Sequence, residues 1–218
     1  MSDYKKPDYW AKKAKTDGYA ARSIYKLDEI DKKFNLIKLG NNILDLGCAP
    51  GSWSQYISEK VGINGRVVGI DYKMITVNPK NAVFIHGNFL REHNQDKIKE
   101  LGKYDGIVSD MAPDTTGDKL TDCFGSSDLV ETALDFAFIH LKIGGFFVAK
   151  IFQGGNELEI MSKLKETFET AKWFKPDSCR KKSFEIFMIA SGYKGKIKSN
   201  QTEYNTQEYD DESGVMPW

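Results

Sequence analysis

The sequence predicts one α/β domain built on a doubly wound, mostly parallel seven-stranded sheet that ends in an antiparallel hairpin strand. From residue 42 onward, short β-rich runs alternate with helical patterns, which is typical of parallel strands joined by crossover helices. The last two strand-like runs are joined by a polar linker that is too short for a helix, so we expect them to pair antiparallel. The chain shows neither an internal repeat nor a second domain.

The individual elements follow from the spacing of apolar residues. Ile24, Leu27, Ile30 and Phe34 recur at helical spacing, which predicts an amphipathic helix over 22–34, before the first strand. The predicted strands are 43–47, 66–71, 82–86, 104–110, 145–152, 172–176 and 184–191. The predicted helices between them are 52–61, 89–101, 126–142 and 156–169.

Local charge divides the chain into three parts, although Lys+Arg and Asp+Glu balance at 31 each. We expect a basic N-terminal arm over 1–19, a catalytic domain over 20–193 and a polar, flexible tail over 194–218. The bases before residue 35 are Lys5, Lys6, Lys12, Lys13, Lys15, Arg22, Lys26, Lys32 and Lys33. Lysines beside Tyr9 and Trp10 suit phosphate attraction and base stacking, while a solvated helix face is the simpler interpretation.

The sequence gives little support to a zinc-binding, disulfide-rich, membrane or secreted protein. The three cysteines lie far apart, without a CxxC pair or a histidine at ligand spacing, so no zinc site or disulfide framework is predicted. No apolar run approaches the length that spans a membrane, and the first residues lack the apolar core of a signal peptide. We therefore expect a monomeric, cytoplasmic protein without a metal or a membrane partner.

The stretch LDLGCAPGSWSQYI (44–57) predicts a ligand-binding turn between the first strand and the next helix. Gly47 and Gly51 would let the backbone approach a ligand closely. Asp71 ends the second strand about twenty residues later, where an acid can accept hydrogen bonds from a ribose diol. A glycine turn after a strand is often only a turn, so this motif alone is a weak signal.

The details of the turn favour S-adenosylmethionine over a dinucleotide. The run GCAPGSW does not fit the G-x-G-x-x-G spacing, and Pro50 and Trp53 stand where a pyrophosphate loop needs freedom. Asp45 is placed to organise the turn and meet the amino acid end of the cofactor, and His86 or Asn88 to meet the adenine. A nicotinamide dehydrogenase and a small-molecule O-methyltransferase are the alternatives.

Four charged residues interrupt otherwise apolar surroundings: Lys26, Asp110, Lys150 and Glu185. Lys150 lies inside the buried run FFVAKIF, where a charge is costly unless it is paired. Since the fourth and fifth strands should be neighbours, we expect Asp110 to pair with Lys150 and Glu185 to add a second carboxylate. A buried ion-pair network that only holds strands together is the alternative interpretation.

These residues lie in motifs that resemble the FtsJ/RrmJ-type ribosomal RNA 2′-O-ribose methyltransferases. The similar segments are AARSIYKLDEID (20–31), DLGCAPGSWSQ (45–55), SDMAPDTTG (109–117), AKIFQG (149–154) and CRKKSFEIFMIA (179–190). The resemblance covers about 20–193 and implies a Rossmann-like, S-adenosylmethionine-dependent methyltransferase fold.

The resemblance also implies a Lys-Asp-Lys-Glu tetrad for 2′-O transfer, and all four positions are intact in this chain. We interpret Lys150 as the base, with Lys26 as the second cation. The cofactor contacts that the resemblance implies are Gly51, Trp53, Asp71, Asn88 and Asp110. Asn88 departs from the acid usual in the family, but its amide oxygen can still accept from an adenine amino group.

The substrate implied by the resemblance is a uridine ribose in large-subunit ribosomal RNA, free or in the subunit. A tRNA or mRNA cap 2′-O-methyltransferase is the first alternative, since these relatives share the tetrad. A non-catalytic RNA-binding ribosome assembly factor of the same fold is the second. The candidate RNA-binding residues are Lys12, Lys13, Arg22, Arg180, Lys181 and Lys182.

Overall fold

The computed structural model describes residues 9–180 and 183–195, and it confirms the doubly wound fold class. The sheet has seven strands in the order β3-β2-β1-β4-β5-β7-β6. The strands are β1 Asn42–Leu46, β2 Arg66–Asp71, β3 Ala82–His86, β4 Tyr104–Ser109, β5 Leu141–Phe152, β6 Phe168–Phe174 and β7 Glu185–Tyr193. The helices are α1 Tyr9–Thr16, α2 Ile24–Phe34, α3 Ser52–Val61, α4 Glu92–Glu100, α5 Lys119–His140 and α6 Glu157–Thr167. None of the helices described is long and apolar enough to cross a bilayer.

Strands β1 to β5 pair in parallel, and β7 inserts antiparallel between β5 and β6. In the β5–β7 register, Lys150 lies opposite Phe187 and Phe152 lies opposite Glu185. The last strand described, β7, therefore starts at the edge of the sheet where the parallel strands end. This placement brings Glu185 to the same edge as the glycine turn.

The helices cover both faces of the sheet, and alternate strand residues face each layer. Helices α4, α5 and α6 pack on one face, against residues such as Leu44 and Phe147. Helices α2 and α3 pack on the other face, against residues such as Ile43 and Val148. Position along a strand therefore decides which helical layer each side chain meets.

Several element boundaries differ from the predictions. Helix α5 begins at Lys119 rather than 126, because Asp118 caps it by accepting a 2.8 Å hydrogen bond from the Thr121 amide. Strand β5 begins at Leu141, and α6 ends at Thr167, where β6 starts directly instead of at 172. The early start of β6 depends on its pairing with β7, in which Phe168 lies opposite Tyr193. Periodicity along one segment does not report such a distant partner.

The described part of the N-terminal arm is a helix that packs on the domain. In α1, Ala14 is buried, and the Trp10 ring lies 4.9 Å from the ring of Tyr25 on α2. Asp17 accepts a 2.7 Å hydrogen bond from the Tyr25 hydroxyl and also pairs with Lys13. The Trp10 ring therefore has a protein neighbour where we considered a stacked base. The residues Lys5, Lys6, Lys181, Lys182 and the range 196–218 lie outside the described part of the chain.

Candidate active site

A cavity of about 610 Å³ lies at the carboxyl ends of the parallel strands. Four of the seven residues expected to contact a cofactor line it: Gly47, Asp71, Asn88 and Asp110. Gly47 has a φ of +73°, and a Cβ there would lie 2.7 Å from Met111 Cγ, so a side chain would disturb the wall. The turn is thus shaped for close approach of backbone and ligand.

Asp71 fixes the loops on either side of this cavity. One carboxylate oxygen accepts a 3.0 Å hydrogen bond from the Ala49 amide, and the other accepts a 2.8 Å bond from the Lys73 amide. Each carboxylate oxygen has a second acceptor position, so both remain able to accept from a ribose diol. His86, considered for the adenine, instead places Nε2 2.9 Å from the Tyr72 carbonyl oxygen and is exposed.

The charge of the cavity wall discriminates between the two cofactor classes. Four carboxylates and one lysine line it: Asp71, Asp110, Asp114, Asp128 and Lys73. An acidic wall attracts a ligand that carries sulfonium and ammonium groups and repels a pyrophosphate. The residues therefore fit S-adenosylmethionine better than a dinucleotide. Within the described residues, no cluster of His, Cys, Asp or Glu has the geometry of a metal site.

Three predicted cofactor residues do not line this cavity. Asp45 is fully buried and accepts a 2.6 Å hydrogen bond from Ser54 Oγ on α3. Gly51, with a φ of +117°, lies against Val77, whose Cγ2 would be 2.2 Å from an added Cβ. Trp53 is buried and donates a 2.7 Å hydrogen bond from Nε1 to the Ser23 carbonyl. The side chains of Asp45 and Trp53 point into the layer of α2 and α3, so these two residues support the turn from the side opposite the cavity.

Asp45 is an acid in an apolar position. Its Oδ1 is buried and has no hydrogen-bond partner among the described residues. Burial raises the pKa of Asp45 to about 7, and the negative charges of Asp110 and Asp71 act in the same direction. The hydrogen bond from Ser54 opposes this shift without cancelling it. The carboxyl is therefore protonated below neutral pH in the folded protein.

Lys150 and Asp110 meet at the edge of the cavity. Lys150 Nζ lies 2.8 Å from Asp110 Oδ1 and donates a 2.6 Å hydrogen bond to the Asp110 carbonyl oxygen. Lys150 lies two and four residues after Val148 and Phe146 on β5, so its side chain is on the same face of the sheet, toward the layer that contains α2. Asp110 follows β4 and also lines the acidic cavity, so it connects this cavity with the buried lysine.

Lys26 completes the cluster from α2. Its Nζ lies 3.0 Å from Glu185 Oε2 and 4.0 Å from Asp110 Oδ1. Glu185 therefore pairs with Lys26 and not with Lys150 as we expected, since the β5–β7 register sets it opposite Phe152. The structure brings together all four residues that the sequence singled out.

The charges of this cluster stabilise one another. Burial lowers the pKa of Lys26, but the charges of Asp110 and Glu185 outweigh this effect and raise it above the ordinary value. Burial similarly opposes ionisation of Asp110, while Lys150 and Lys26 hold its pKa below the ordinary range. Lys26 is thus a permanent cation, and Asp110 a permanent anion, near neutral pH.

A second, smaller cavity of about 230 Å³ adjoins the cluster on the side of the hairpin. Its wall contains Lys26 and Glu185 together with Arg22 and Arg180. Arg22 also donates to the Ser178 carbonyl, so its guanidinium is held in place. Burial, followed by the charge of Arg180, lowers the pKa of Arg22 below its usual value, and both groups remain cations. The structure therefore places two predicted RNA-binding arginines beside Lys26 and Glu185.

The lysines of α1 differ in their surroundings. Lys12 is exposed on the helix. Lys13 pairs with Asp17 and lies 4.8 Å from the centre of the Tyr25 ring, so it joins α1 to α2. Sequence reasoning did not separate these two neighbours. Sequence reasoning also did not identify Asp128 and Thr132, which line the acidic cavity from α5 in a helical segment without a distinctive local motif.

The fold and the site together define the class of α/β methyltransferases with a Rossmann-like sheet. A family model described as FtsJ-like methyltransferase matches residues 19–193. The chain belongs to this family, and it is a methyltransferase.

Curated relatives match over most of their length. A ribosomal RNA large subunit methyltransferase E from Treponema denticola is 45% identical over 194 residues, covering 88% of this chain and 98% of the relative. A protein of the same name from Bdellovibrio bacteriovorus is 46% identical over 189 residues, covering 85% of this chain and 96% of the relative.

Solved structures show the same fold. A ribosomal RNA methyltransferase from Plasmodium falciparum, described as putative, superposes with a TM-score of 0.73 at 31% identity, covering 82% of this chain and all (100%) of the other. Fibrillarin from Aeropyrum pernix, solved with bound S-adenosyl-L-methionine, has a TM-score of 0.52 at 20% identity, covering 71% and 67% of the two chains. The second likeness supports the fold alone.

Proposed function

We propose that this protein transfers a methyl group from S-adenosylmethionine to a uridine ribose 2′ oxygen in large-subunit ribosomal RNA. It acts as a cytoplasmic monomer on the RNA or on the assembled subunit. The observation that carries the proposal is Asp110, which lines the cofactor cavity and also contacts the buried Lys150. Relatives at 45–46% identity are named as large-subunit ribosomal RNA methyltransferases, which supports this RNA as the substrate.

The acidic cavity holds the cofactor in this proposal. Asp71 accepts from the ribose diol, Asn88 meets the adenine, and Asp110 attracts the positively charged amino acid end. Gly47 lets the backbone of the turn approach the ligand, while Asp45, Gly51 and Trp53 support the turn from the opposite layer. The bound cofactor supplies an electrophilic methyl group on a sulfonium.

Lys150 is the general base in this proposal. A neutral lysine amine has two N–H bonds, and Lys150 donates one of them to the Asp110 carbonyl at 2.6 Å, while Asp110 Oδ1 lies 2.8 Å from Nζ as its ion-pair partner. The remaining lone pair is then free to take the proton of the 2′ hydroxyl as the oxygen attacks. Lys26 stays protonated between Asp110 and Glu185, so its charge stabilises the developing oxyanion.

The basic cavity beside the cluster holds the RNA backbone. Arg22 and Arg180 present cations at the edge of the catalytic cluster, where the phosphates flanking the target ribose must pass. Lys12, which is exposed on α1, belongs to the same proposal. Lys181 and Lys182 belong to the same proposal on the basis of sequence alone. Lys13 contributes less, because Asp17 already neutralises it.

The proposal is tested by replacing the base while keeping its charge. Lys150→Arg should lower methyl transfer to ribosomal RNA about 10²- to 10⁴-fold, because a guanidinium stays protonated. The measurement is transfer of labelled methyl to ribosomal RNA from cells that lack the gene, followed by nucleoside analysis for 2′-O-methyluridine. Cofactor affinity should stay within a few fold.

Lys142→Arg is the matched control. Lys142 lies on the same strand as Lys150, β5, but it is exposed and pairs with Asp105. It should transfer methyl at the wild-type rate. Full activity of Lys150→Arg would remove Lys150 as the base. Labelling of tRNA or capped mRNA in preference to ribosomal RNA would overturn the assigned substrate, and binding of ribosomal RNA without any transfer would favour an assembly factor.

A further inference from the structure

Two aromatic rings stand at the catalytic edge without belonging to the hydrophobic core. Phe152 ends β5 two residues after Lys150, and Phe184 directly precedes Glu185. Their ring centres lie 4.7 Å apart at an angle of 65°, so the rings form a corner. Both are partly exposed, and within the described residues neither is among the partly buried side chains that pack on the two core clusters.

A comparable aromatic pair elsewhere shows what a structural role looks like. Phe34 and Phe174 also meet edge to face, at 5.5 Å, and Lys33 lies 4.4 Å from the Phe174 ring centre. Both of these rings pack on the core cluster beneath α2 and α3. Packing on the core therefore explains the Phe34 pair, but it does not explain the Phe152 pair.

The corner is held in a fixed position by the surrounding backbone. The Phe152 amide donates a 3.0 Å hydrogen bond to Ser126 Oγ, and the Gln153 amide donates a 3.0 Å bond to the Phe184 carbonyl. The second bond ties the end of β5 to the start of β7. The rings are thus positioned relative to Lys150 and Glu185 by the same strands that carry those residues.

We propose that Phe152, Phe184 and Lys119 form a stacking site for a nucleobase beside the ribose that is methylated. This inference rests on the proposed RNA substrate. A ribose that reaches Lys150 carries its own base and adjoins those of its neighbours, and a flat base gains most by stacking on an aromatic face. Because every base has such a face, the site selects a single-stranded nucleotide rather than a sequence.

Lys119 suits the same ligand. Its exposed Nζ lies 5.7 Å from the centre of the Phe184 ring, a distance at which the attraction between cation and ring is weak. A nucleobase stacks more strongly than this and displaces the lysine. The ammonium then becomes available to a phosphate of the same nucleotide.

The test is a binding measurement with a single-stranded RNA of about ten nucleotides that contains the fluorescent base 2-aminopurine. Phe184→Leu should weaken binding by roughly 5- to 100-fold and abolish the quenching that stacking produces. The slope of log affinity against log salt should not change, since no phosphate contact is lost. Phe184→Trp should restore both affinity and quenching, because it restores a flat ring.

Phe174→Leu is the matched control, and it should bind the RNA with wild-type affinity. The melting temperature and the cofactor affinity of Phe184→Leu should equal those of the wild type, which separates a binding defect from misfolding. Wild-type affinity and quenching in Phe184→Leu would overturn the inference. Impaired methylation of the assembled subunit with unchanged affinity for the short RNA would also overturn it, in favour of a protein contact.

The binding assay does not require methyl transfer, so the two proposals fail separately. If the wild type methylates no ribosomal RNA but Phe184→Leu loses affinity and quenching, the stacking site stands and the proposed function fails. If the wild type methylates ribosomal RNA and Phe184→Leu binds normally, the proposed function stands and the stacking site fails.

Discussion

At the scale of single residues, Asp45 links the electrostatics of the turn to the stability of the protein. The folded carboxyl keeps its proton up to a pKa of about 7, whereas the ordinary value is 3.8. Between these values the folded state binds more protons than the unfolded state, so the contribution of Asp45 to stability falls as pH rises. Above about pH 7 the loss is complete.

Asp45→Asn should therefore stabilise the protein, relative to the wild type, more at pH 8.5 than at pH 5. At about 1.4 kcal/mol for each pKa unit, the gain in free energy of unfolding should be larger at pH 8.5 than at pH 5 by on the order of 2–3 kcal/mol, or several degrees in melting temperature. Thermal melts of both proteins without cofactor at the two pH values measure this. An equal difference at both values would show that Asp45 is ionised throughout.

The residue scale also shows how far sequence reasoning reached. A lysine inside FFVAKIF has to find a carboxylate, and the order of strands identified Asp110 correctly. Asp45 does not face the cavity as expected. It alternates with Leu44 and Leu46 along β1, so its side chain points to the opposite face of the sheet, toward α3. Glu185 was assigned to the wrong lysine, since the register of an antiparallel pair cannot be derived from either strand alone.

At the scale of elements, the lysines of α1 have two different environments: some face solvent, and one joins α1 to α2. Lys12 and Lys15 are exposed, while Lys13 is engaged with Asp17 and Tyr25. Replacing Lys12 and Lys15 together with alanine should reduce the slope of log RNA affinity against log salt by about 1.5, since two phosphates lose their partners. Binding to ribosomal RNA at several salt concentrations measures this slope.

Lys13→Ala is the matched comparison on the same helix. It should leave the salt slope nearly unchanged and slightly lower the melting temperature, because it removes a contact between α1 and α2. An unchanged slope in the double variant would identify α1 as a solvated helix. The RNA would then be held from the side of Arg22 and Arg180.

Elements with strong local signals were predicted well, and elements that depend on distant partners were not. The helix over 52–61 and the strands 66–71 and 82–86 coincide with α3, β2 and β3. Strand β6 begins four residues before its predicted start because β7 supplies hydrogen bonds that Phe168 would otherwise lack. The first turns of α5 leave Leu120 and Phe124 exposed and contain Gly125, so they lack a clear apolar face, and the Asp118 cap marks the start of that helix.

At the scale of the whole molecule, the acidic cavity predicts which cofactor stabilises the fold. S-adenosylmethionine at a hundredfold excess over its Kd should stabilise the protein by about 2.7 kcal/mol, raising the melting temperature by about 5–11 °C. NAD should not change the melting temperature, because its pyrophosphate meets carboxylates. Asp71→Ala should abolish the shift relative to its own ligand-free melt.

Asp96→Ala provides the comparison, since Asp96 is an exposed carboxylate paired with Lys99 on α4. It should keep the full shift with S-adenosylmethionine. A shift of similar size with NAD would show that the cavity accepts a dinucleotide and would contradict the assignment of the cofactor.

Under the proposed mechanism, the position of β7 also determines when the enzyme becomes active during synthesis. Lys26 and Glu185 are separated by 159 positions, and β6 joins the sheet only through β7. A nascent chain that ends before Glu185 has the turn, Asp110 and Lys150, but one edge of β5 is unpaired and Lys26 lacks its nearest carboxylate. Under the proposed mechanism, methyl transfer begins only after β7 has been translated and inserted, so activity reports that the described sheet is complete.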